Sequence, residues 1–146
     1  MLIKHLAFSA LSCASALACS SGPLGINEAR LEFSAERLAI TESDPAVTVE
    51  VDEASGLLQV QGVVVLPCMG RGPRGSLLHV GSLVVLTIYV EKESTCATVP
   101  AIWGHTSLIS NLKPGQYTLR VVQPVPDFTI PSYPSEIVFE QVIELP

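Results

Sequence analysis

The chain has 146 residues, of which 48% are hydrophobic and 15% are charged. A length near 150 predicts one domain with its own core, and the apolar fraction excludes an intrinsically disordered chain. Eight lysine and arginine residues against fourteen aspartate and glutamate residues give a net charge of −6. This balance argues against a nucleic acid partner, because a protein surface that binds nucleic acid must neutralise phosphates with basic side chains.

Residues 1–18 have the pattern of a secretory signal peptide. Lys4 supplies the positive n-region, and the apolar stretch 6–17 is too short to span a bilayer. Ala16 and Ala18 are the small residues that a signal peptidase requires. We therefore expect an exported protein that loses this segment, with a buried helix of a cytosolic protein as the alternative.

Cys19 follows the apolar stretch directly. Leu17-Ala18-Cys19 resembles the lipobox of bacterial lipoproteins, although Ala16 stands where that family usually has leucine. The resemblance implies cleavage before Cys19 and acylation of its thiol and new amino group. Acyl chains anchor a protein at about 0.8 kcal/mol per buried methylene. Ser20 follows Cys19, and this position resembles that of lipoproteins that are passed on to the outer membrane. The resemblance implies that the protein lies in the periplasm or at the cell surface, and simple secretion is the alternative.

The cysteine count is consistent with this interpretation. Export leaves Cys19, Cys68 and Cys96, and an odd number in an oxidising compartment leaves one thiol to explain. Lipidation of Cys19 leaves one pair, and a Cys68–Cys96 bridge would close a loop of about 29 residues and contribute roughly 3.6 kcal/mol. A metal site using both thiolates is the alternative, but there is no CxxC spacing. We expect no metal and no cofactor.

A polar, acidic segment precedes the body of the chain. We expect residues 19–45 to hold the lipidated cysteine, a tether and this segment, and residues 46–146 to form the folded domain. Eight of the fourteen carboxylates lie within residues 28–53. A solvated face is the favoured interpretation, and a surface for a cation or a basic partner is the alternative. Residues 27–40 fit either a helix or a strand.

From residue 46 onward the hydrophobic pattern has the period of two that is typical of strands. The segments that we interpret as strands, by this alternation or as continuous apolar runs, are 47–51, 58–66, 77–80, 83–90, 101–109, 117–121 and 137–145. About seven short strands separated by turn signals predict an all-β fold, an antiparallel, immunoglobulin-like β-sandwich that follows the signal peptide and a short tether. A closed barrel is the alternative.

Two turns and one central strand are predicted in more detail. Gly81-Ser82 fits a type II′ turn of a two-residue hairpin, and Pro114-Gly115 fits the centre of a type II turn. Residues 83–90 are apolar on both faces, which is typical of a central strand between two layers.

Residues 111–121 carry a second resemblance. They are similar to the L-x-P-G-x-Y-x-L-x-V segment of immunoglobulin-like and transthyretin-like β-sandwich domains. The resemblance implies that the Tyr117 hydroxyl bonds back to the backbone of the preceding corner. Leu66-Pro67-Cys68, Cys96 and Pro114-Gly115-Gln116-Tyr117 together resemble small exported bacterial lipoproteins of unknown function, over residues 58–122.

The loop 69–75 contains two arginines among glycines. Arg71 and Arg74 beside a flexible backbone could hold a carboxylate or a phosphate. The loop is not a P-loop, which needs Gly-Lys-Ser/Thr before a helix. A flexible surface loop is the alternative.

Four aromatic or imidazole side chains complete the candidate binding residues. Trp103 and His105 lie close together, and the tryptophan is either buried in the core or exposed on a binding face. Phe128 and Tyr133 lie in the proline-rich loop 124–134, where they either anchor a partner or fold over the end of the sandwich.

We expect no enzymatic activity. Ser107 and Ser110 lie near His105, but no G-x-S-x-G motif surrounds them and nothing indicates a convergent triad. The sequence thus predicts a non-catalytic cell-envelope lipoprotein that carries a β-sandwich binding or structural module. Its expected partners are a membrane, through the lipid anchor, and an envelope protein or a carbohydrate. An exported inhibitor of a protease or other hydrolase, acting through exposed loops, is the alternative.

Overall fold

The structure is a computed structural model that describes residues 28–39, 46–66, 72–91, 100–125 and 134–146. In these ranges the chain forms eight strands and no helix. The strands are β1 (Arg30–Leu38), β2 (Thr48–Asp52), β3 (Leu57–Leu66), β4 (Arg74–Val80), β5 (Leu83–Tyr89), β6 (Ala101–Ser110), β7 (Gly115–Pro124) and β8 (Ser135–Leu145). The described part of the chain contains no helix that is long and apolar enough to cross a membrane.

The strands form two four-stranded sheets that pack face to face. Sheet A has the order β1-β6-β3-β2 and is antiparallel throughout. Sheet B has the order β4-β5-β7-β8. The prediction of an all-β sandwich is confirmed.

Two details differ from the prediction. There are eight strands in the described ranges rather than about seven, and β5 pairs with β7 in parallel rather than antiparallel. The reason lies in the connection, because the chain leaves sheet B after β5, forms β6 in sheet A and then returns beside β5. A parallel pair needs such a crossover, and here a strand of the other sheet supplies it.

The core lies between the sheets and follows the period-two pattern. Side chains of a strand point alternately to its two faces, so every second residue is buried. Leu58 and Val60 of β3 face Leu86 of β5 and Leu119 of β7 across the core, and all four are fully buried. β5 is an inner strand of sheet B, as its apolar sequence predicts.

The ambiguous segment 27–40 forms a strand. Leu31, Phe33 and Ala35 of β1 alternate with exposed polar residues and point toward the core, where Leu31 and Phe33 pack against it. The sandwich therefore extends to Arg30, within the segment that the sequence assigns to the tether and acidic region. Glu32 is among the exposed carboxylates of β1, which agrees with a solvated acidic face.

The two predicted turns have different outcomes. Gly81 has a φ of +59° and Ser82 a negative one, which is the pattern of a type II′ turn, and β4 and β5 form the predicted hairpin. Gly115 instead has a φ of +146° and begins β7, far from the value of about +80° at the centre of a type II turn. Residues 111–114 connect strands of different sheets, so the chain forms an arch rather than a hairpin.

The arch is fixed by a hydrogen bond from Tyr117. Its hydroxyl donates to the carbonyl oxygen of Lys113 at 2.9 Å, while its ring is buried. This is the contact that the resemblance of residues 111–121 implies. Asn111, at the start of the arch, adopts a φ of +63°, a left-handed conformation that asparagine tolerates better than most residues.

Candidate functional site

A cleft opens where the edge strands of the two sheets lie side by side. β1 ends sheet A, β4 ends sheet B, and the two strands contact each other. The space between them, here called the edge cleft, has a volume of about 550 Å³. Its walls are formed by Phe33, Ala35, Gly72, Pro73, Arg74, Gly75, Tyr89 and Trp103.

Two glycines bring the backbone against aromatic rings in this cleft. A Cβ atom on Gly72 would lie 2.8 Å from Cζ3 of Trp103, closer than real contacts allow. A Cβ atom on Gly75 would overlap the ring of Phe33. Because both positions lack side chains, the rings of Trp103 and Phe33 remain at the wall of the cleft instead of being displaced.

Trp103 is the residue that gives the cleft its chemistry. It lies on the inner face of β6, is half-buried and packs against the core, so the ring is neither fully buried nor fully exposed, and its role in binding stays a prediction. Its Nε1 is buried and has no hydrogen-bond partner in the described part of the chain. The indole nitrogen can only donate, and a buried donor without an acceptor costs about 1–3 kcal/mol.

Arg74 lies at the rim of the edge cleft. Its Nη1 is 3.3 Å from Oε1 of Glu91, and both side chains are substantially exposed. Such a surface pair contributes little to stability, at most about 1 kcal/mol. An anionic ligand would have to compete with Glu91 for this guanidinium, and the anion site at Arg74 stays a prediction. Arg71 lies outside the described residues.

His105 lies behind the cleft rather than in it. The residue is 3% exposed, and its ring stacks on Phe33 with centroids 5.9 Å apart. A Cβ atom on Gly62 would lie 2.7 Å from Nε2, so the glycine makes room for the imidazole. Burial lowers the pKa of His105, and the side chain of Gln123 opposes part of this shift.

Several polar atoms around His105 are buried without partners in the described ranges. They are Nδ1 and Nε2 of His105, Oγ of Ser107 and Oε1 of Gln123. The amide nitrogen of Gln123 donates to the carbonyl oxygen of Val63 at 3.1 Å and so links the two sheets. Ser107 and His105 make no hydrogen bond, and Ser110 lies on the opposite face of β6. The structure therefore does not assemble a serine–histidine pair here.

The remaining sequence candidates lie outside the described residues. They are Cys19, Cys68, Cys96, Phe128 and Tyr133. The lipid anchor, the disulfide and the role of the proline-rich loop thus stay predictions. No cluster of three or more metal-ligating side chains occurs in the five described ranges.

Sequence reasoning missed Phe33, Tyr89 and the two glycines as partners of Trp103. The alternation of residues 31–35 and the glycines of the loop 69–75 are visible in the sequence. What the sequence does not reveal is that β1 and β4 become neighbours, because they belong to different sheets.

A second depression lies on the outer face of sheet A above Gly104. It has a volume of about 490 Å³ and a largely polar rim that includes Ser34, Glu36 and Thr106. Nothing in its lining distinguishes it from an ordinary solvated sheet surface.

The sequence matches no protein-family model, and no curated protein and no solved structure is significantly similar to it. The function has to be argued from the edge cleft and from the surfaces of the sandwich.

Proposed function

We propose that this protein is a non-catalytic binding module of the bacterial cell envelope that holds its ligand in the edge cleft. The observation that carries the proposal is Trp103, whose ring lines the cleft and whose buried Nε1 lacks an acceptor. A concave site of this volume with aromatic rings in its wall is within the range of ligand sites. A ligand with an apolar group would pack against the indole ring in the cleft, and an acceptor on that ligand would satisfy Nε1 once the wall shifts to expose this atom.

An extended segment of another envelope protein fits these requirements best. β1 and β4 each end a sheet, so no further strand pairs with their outer edges in the described structure. An extended peptide can bond along such an edge and insert side chains into an adjacent pocket. A peptide carbonyl would then be the acceptor for Trp103, and its side chain would lie on Phe33.

Export and a lipid anchor would place this module at a membrane surface. The support is the signal-peptide pattern of residues 1–18 and the resemblance of Leu17-Ala18-Cys19 to a lipobox. The first strand begins at Arg30, about ten residues after Cys19. Such a tether would leave the sandwich close to the membrane and free to turn.

A Cys68–Cys96 bridge is compatible with the strand register. Leu66 of β3 lies directly opposite Ala101 of β6. Cys68 follows Leu66 by two residues and Cys96 precedes Ala101 by five, so at about 3.5 Å per residue both chains reach a common point.

The experiment is a binding measurement that uses the single tryptophan of the chain as its reporter. Overlapping peptides from envelope proteins and purified cell-wall glycans are added to the protein, and Trp103 fluorescence is recorded. We expect a peptide to shift the emission. Trp103→Phe, tested by calorimetry with that peptide, should weaken binding about tenfold because the N–H donor is lost.

Ser110→Ala is the matched control, since Ser110 lies on the same strand as Trp103 but on its outer face. It should bind like the unmodified protein. If a glycan binds and no peptide does, the edge cleft would remain the proposed binding site, and the proposed ligand class would change from a peptide to a carbohydrate. A peptide that binds equally well to Trp103→Phe would refute the edge cleft as its site.

A further inference from the structure

The large hydrophobic side chains that are exposed in the described ranges all belong to one of the two sheets. In the described ranges the large hydrophobic side chains that are exposed have exposed fractions between 37% and 61%. They are Leu78, Val80, Tyr89, Ile137, Val138 and Val142, and all belong to β4, β5 or β8 of sheet B. Soluble proteins leave such residues singly on the surface, whereas a contiguous group marks an interface.

The strand register shows that these residues are contiguous. Val80 lies opposite Leu83, which lies beside Thr118, and Thr118 lies opposite Val142. One row further along the strands, Leu78 lies opposite Val85. These residues all point away from the core, since the alternate residues of the same strands are the inward-facing ones.

The next row extends the patch across the remaining strands. Thr87 lies beside Val122, which lies opposite Ile137. The outer face of sheet B therefore carries exposed apolar side chains on three of its four strands, interrupted by the Arg120–Glu140 pair and by Ser76, Thr87 and Thr118.

The charges on this face largely cancel. Arg74 is paired with Glu91, and Arg120 is paired with Glu140 in the middle of the face. Glu144, opposite Gln116 at the end of the face, is exposed and has no cation partner in the described ranges, so a second molecule would meet an isolated charge at this end, where burial is costly.

The outer face of sheet A has the opposite character. Glu32, Glu36, Glu50 and Asp52 are exposed there, with Arg30 as a nearby cation. Two copies of a chain with a net charge of −6 would repel each other through these faces. Of the two outer faces in the described ranges, that of sheet B has the more exposed apolar side chains and fewer unpaired charges, so repulsion is smallest when sheet B faces sheet B.

We propose that the outer face of sheet B binds the same face of a second copy of this chain, forming a two-fold symmetric dimer. Flat sheet faces pack onto other sheet faces at about 10 Å, with strands roughly aligned. A two-fold axis parallel to the strands and between β5 and β7 would lay Val80 of one copy on Val142 of the other. It would also lay Val85 on the aliphatic part of Arg120, whose charge stays paired with Glu140.

The size of the face places the dimer among weak, reversible associations. Four strands about 4.8 Å apart and seven residues of about 3.4 Å cover an area of about 19 by 24 Å. This is at the lower end for specific interfaces, where association is weak and reversible. We expect a dissociation constant of about 10–100 µM, which tethering of both copies to one membrane surface would make effective.

Pairing through the free edge of β8 is a less favourable arrangement for a second copy. β8 carries Glu136, Glu140 and Glu144. Antiparallel registers centred on Val138, Glu140 or Val142 would each place two glutamates opposite one another, and like charges in that position are destabilising. Such charges are a common protection of long edge strands.

The test is sedimentation velocity of the folded chain without its signal peptide, between about 5 and 500 µM, a range around the expected constant. We expect the weight-average sedimentation coefficient to rise from the monomer to the dimer value. Val142→Glu should hold the chain in the monomer range throughout. Gln61→Glu adds the same charge to the outer face of sheet A and should dimerise like the unmodified chain; circular dichroism verifies that both variants fold.

Exchanging the charges of Arg120 and Glu140 tests whether the dimer forms through the outer face of sheet B or through another surface. Arg120→Glu should abolish the dimer because two carboxylates then lie side by side on the face. Combining Arg120→Glu with Glu140→Arg restores the pair and should restore the dimer. A chain that stays monomeric at the highest concentration overturns the proposal, as does a dimer that Val142→Glu leaves intact. Binding of the monomer to phosphatidylcholine vesicles, lost in Val142→Glu, would assign the face to a lipid surface instead.

Discussion

His105 combines nearly complete burial with two ring nitrogens that lack partners in the described structure. A neutral imidazole tolerates this environment at a cost, but an imidazolium does so only at a much higher cost. The imidazole ring packs beside Gly62, which has no side chain, and stacks on the ring of Phe33. At the residue scale, the interior is therefore sensitive to the protonation of one side chain.

We expect the fold to become less stable as the pH decreases, because of His105. Burial places the pKa of His105 in the folded state below its ordinary value of 6.5. The unfolded chain therefore binds a proton at a higher pH than the folded chain does. Above about pH 7 both states are neutral and the stability is complete. As the pH falls through 6.5 toward the lowered pKa, stability is lost, with a slope of at most about 1.4 kcal/mol per pH unit.

The measurement is the urea midpoint between pH 7.5 and pH 5. His105→Gln, which cannot titrate, should have a flatter profile than the unmodified chain. His79→Gln is the control, because His79 is exposed on β4 with its Nε2 2.9 Å from the carbonyl oxygen of Gly81. Identical slopes for His105→Gln and the unmodified chain would show that the histidine does not cause the effect.

At the scale of the elements, the arch between β6 and β7 determines how the chain passes from one sheet to the other. Tyr117 closes it through the carbonyl oxygen of Lys113, and the same ring meets the edge of His79 on β4 at 5.7 Å. The arch therefore holds β7 in register beside β5 and β8.

Removing the Tyr117 hydroxyl should loosen this arch. Tyr117→Phe keeps the buried ring and loses one hydrogen bond, so we expect a decrease of about 0.5–1.5 kcal/mol in the free energy of unfolding. Tyr89→Phe, an exposed tyrosine on β5, should change it by much less. Chemical denaturation of the two variants decides the matter, and equal losses would contradict a specific role for the Tyr117–Lys113 hydrogen bond.

Local sequence pattern predicted the strands well where one face is clearly apolar. Alternation marks β2, β3 and β7, and the glycine at position 81 marks the hairpin between β4 and β5. The pattern left residues 27–40 undecided, because Leu31, Phe33 and Leu38 fit either period. It did not predict the parallel pairing of β5 with β7, since the partner of a strand depends on contacts distant in sequence.

The candidate site shows the same limit more strongly. Trp103 and Arg74 are visible as candidates, but the wall of the edge cleft also needs Phe33 and Tyr89 from other strands. Only the packing of the two sheets brings these residues together. The sequence predicts the type of fold and single residues of the site, and the fold determines which of them meet.

At the scale of the whole molecule, the two sheets have different outer faces and the cleft opens along one side between them. The acidic face of sheet A, the apolar face of sheet B and the cleft between β1 and β4 point in different directions. The proposed ligand would then lie at the edge of the sandwich, and the outer face of sheet B would be open to the proposed second copy.

Intact mass spectrometry of the chain purified from a bacterial membrane fraction tests the predicted processing. We expect the loss of residues 1–18, an added acyl mass on Cys19 and the loss of two hydrogens for a Cys68–Cys96 bridge. Reduction should lower the free energy of unfolding by up to roughly 3.6 kcal/mol. A soluble chain without added acyl mass would refute the anchor, and two free thiols in the exported chain would refute the bridge.

The edge cleft is the centre of this account, and the indole N–H of Trp103 reports on it directly. The chain has one tryptophan, so a ¹⁵N-labelled sample gives one indole cross-peak in a two-dimensional NMR spectrum. During titration with a peptide that binds the protein, we expect this peak to move downfield and saturate with the binding curve, as the donor gains an acceptor. An indole peak that stays in place while the peptide saturates the protein would contradict the account.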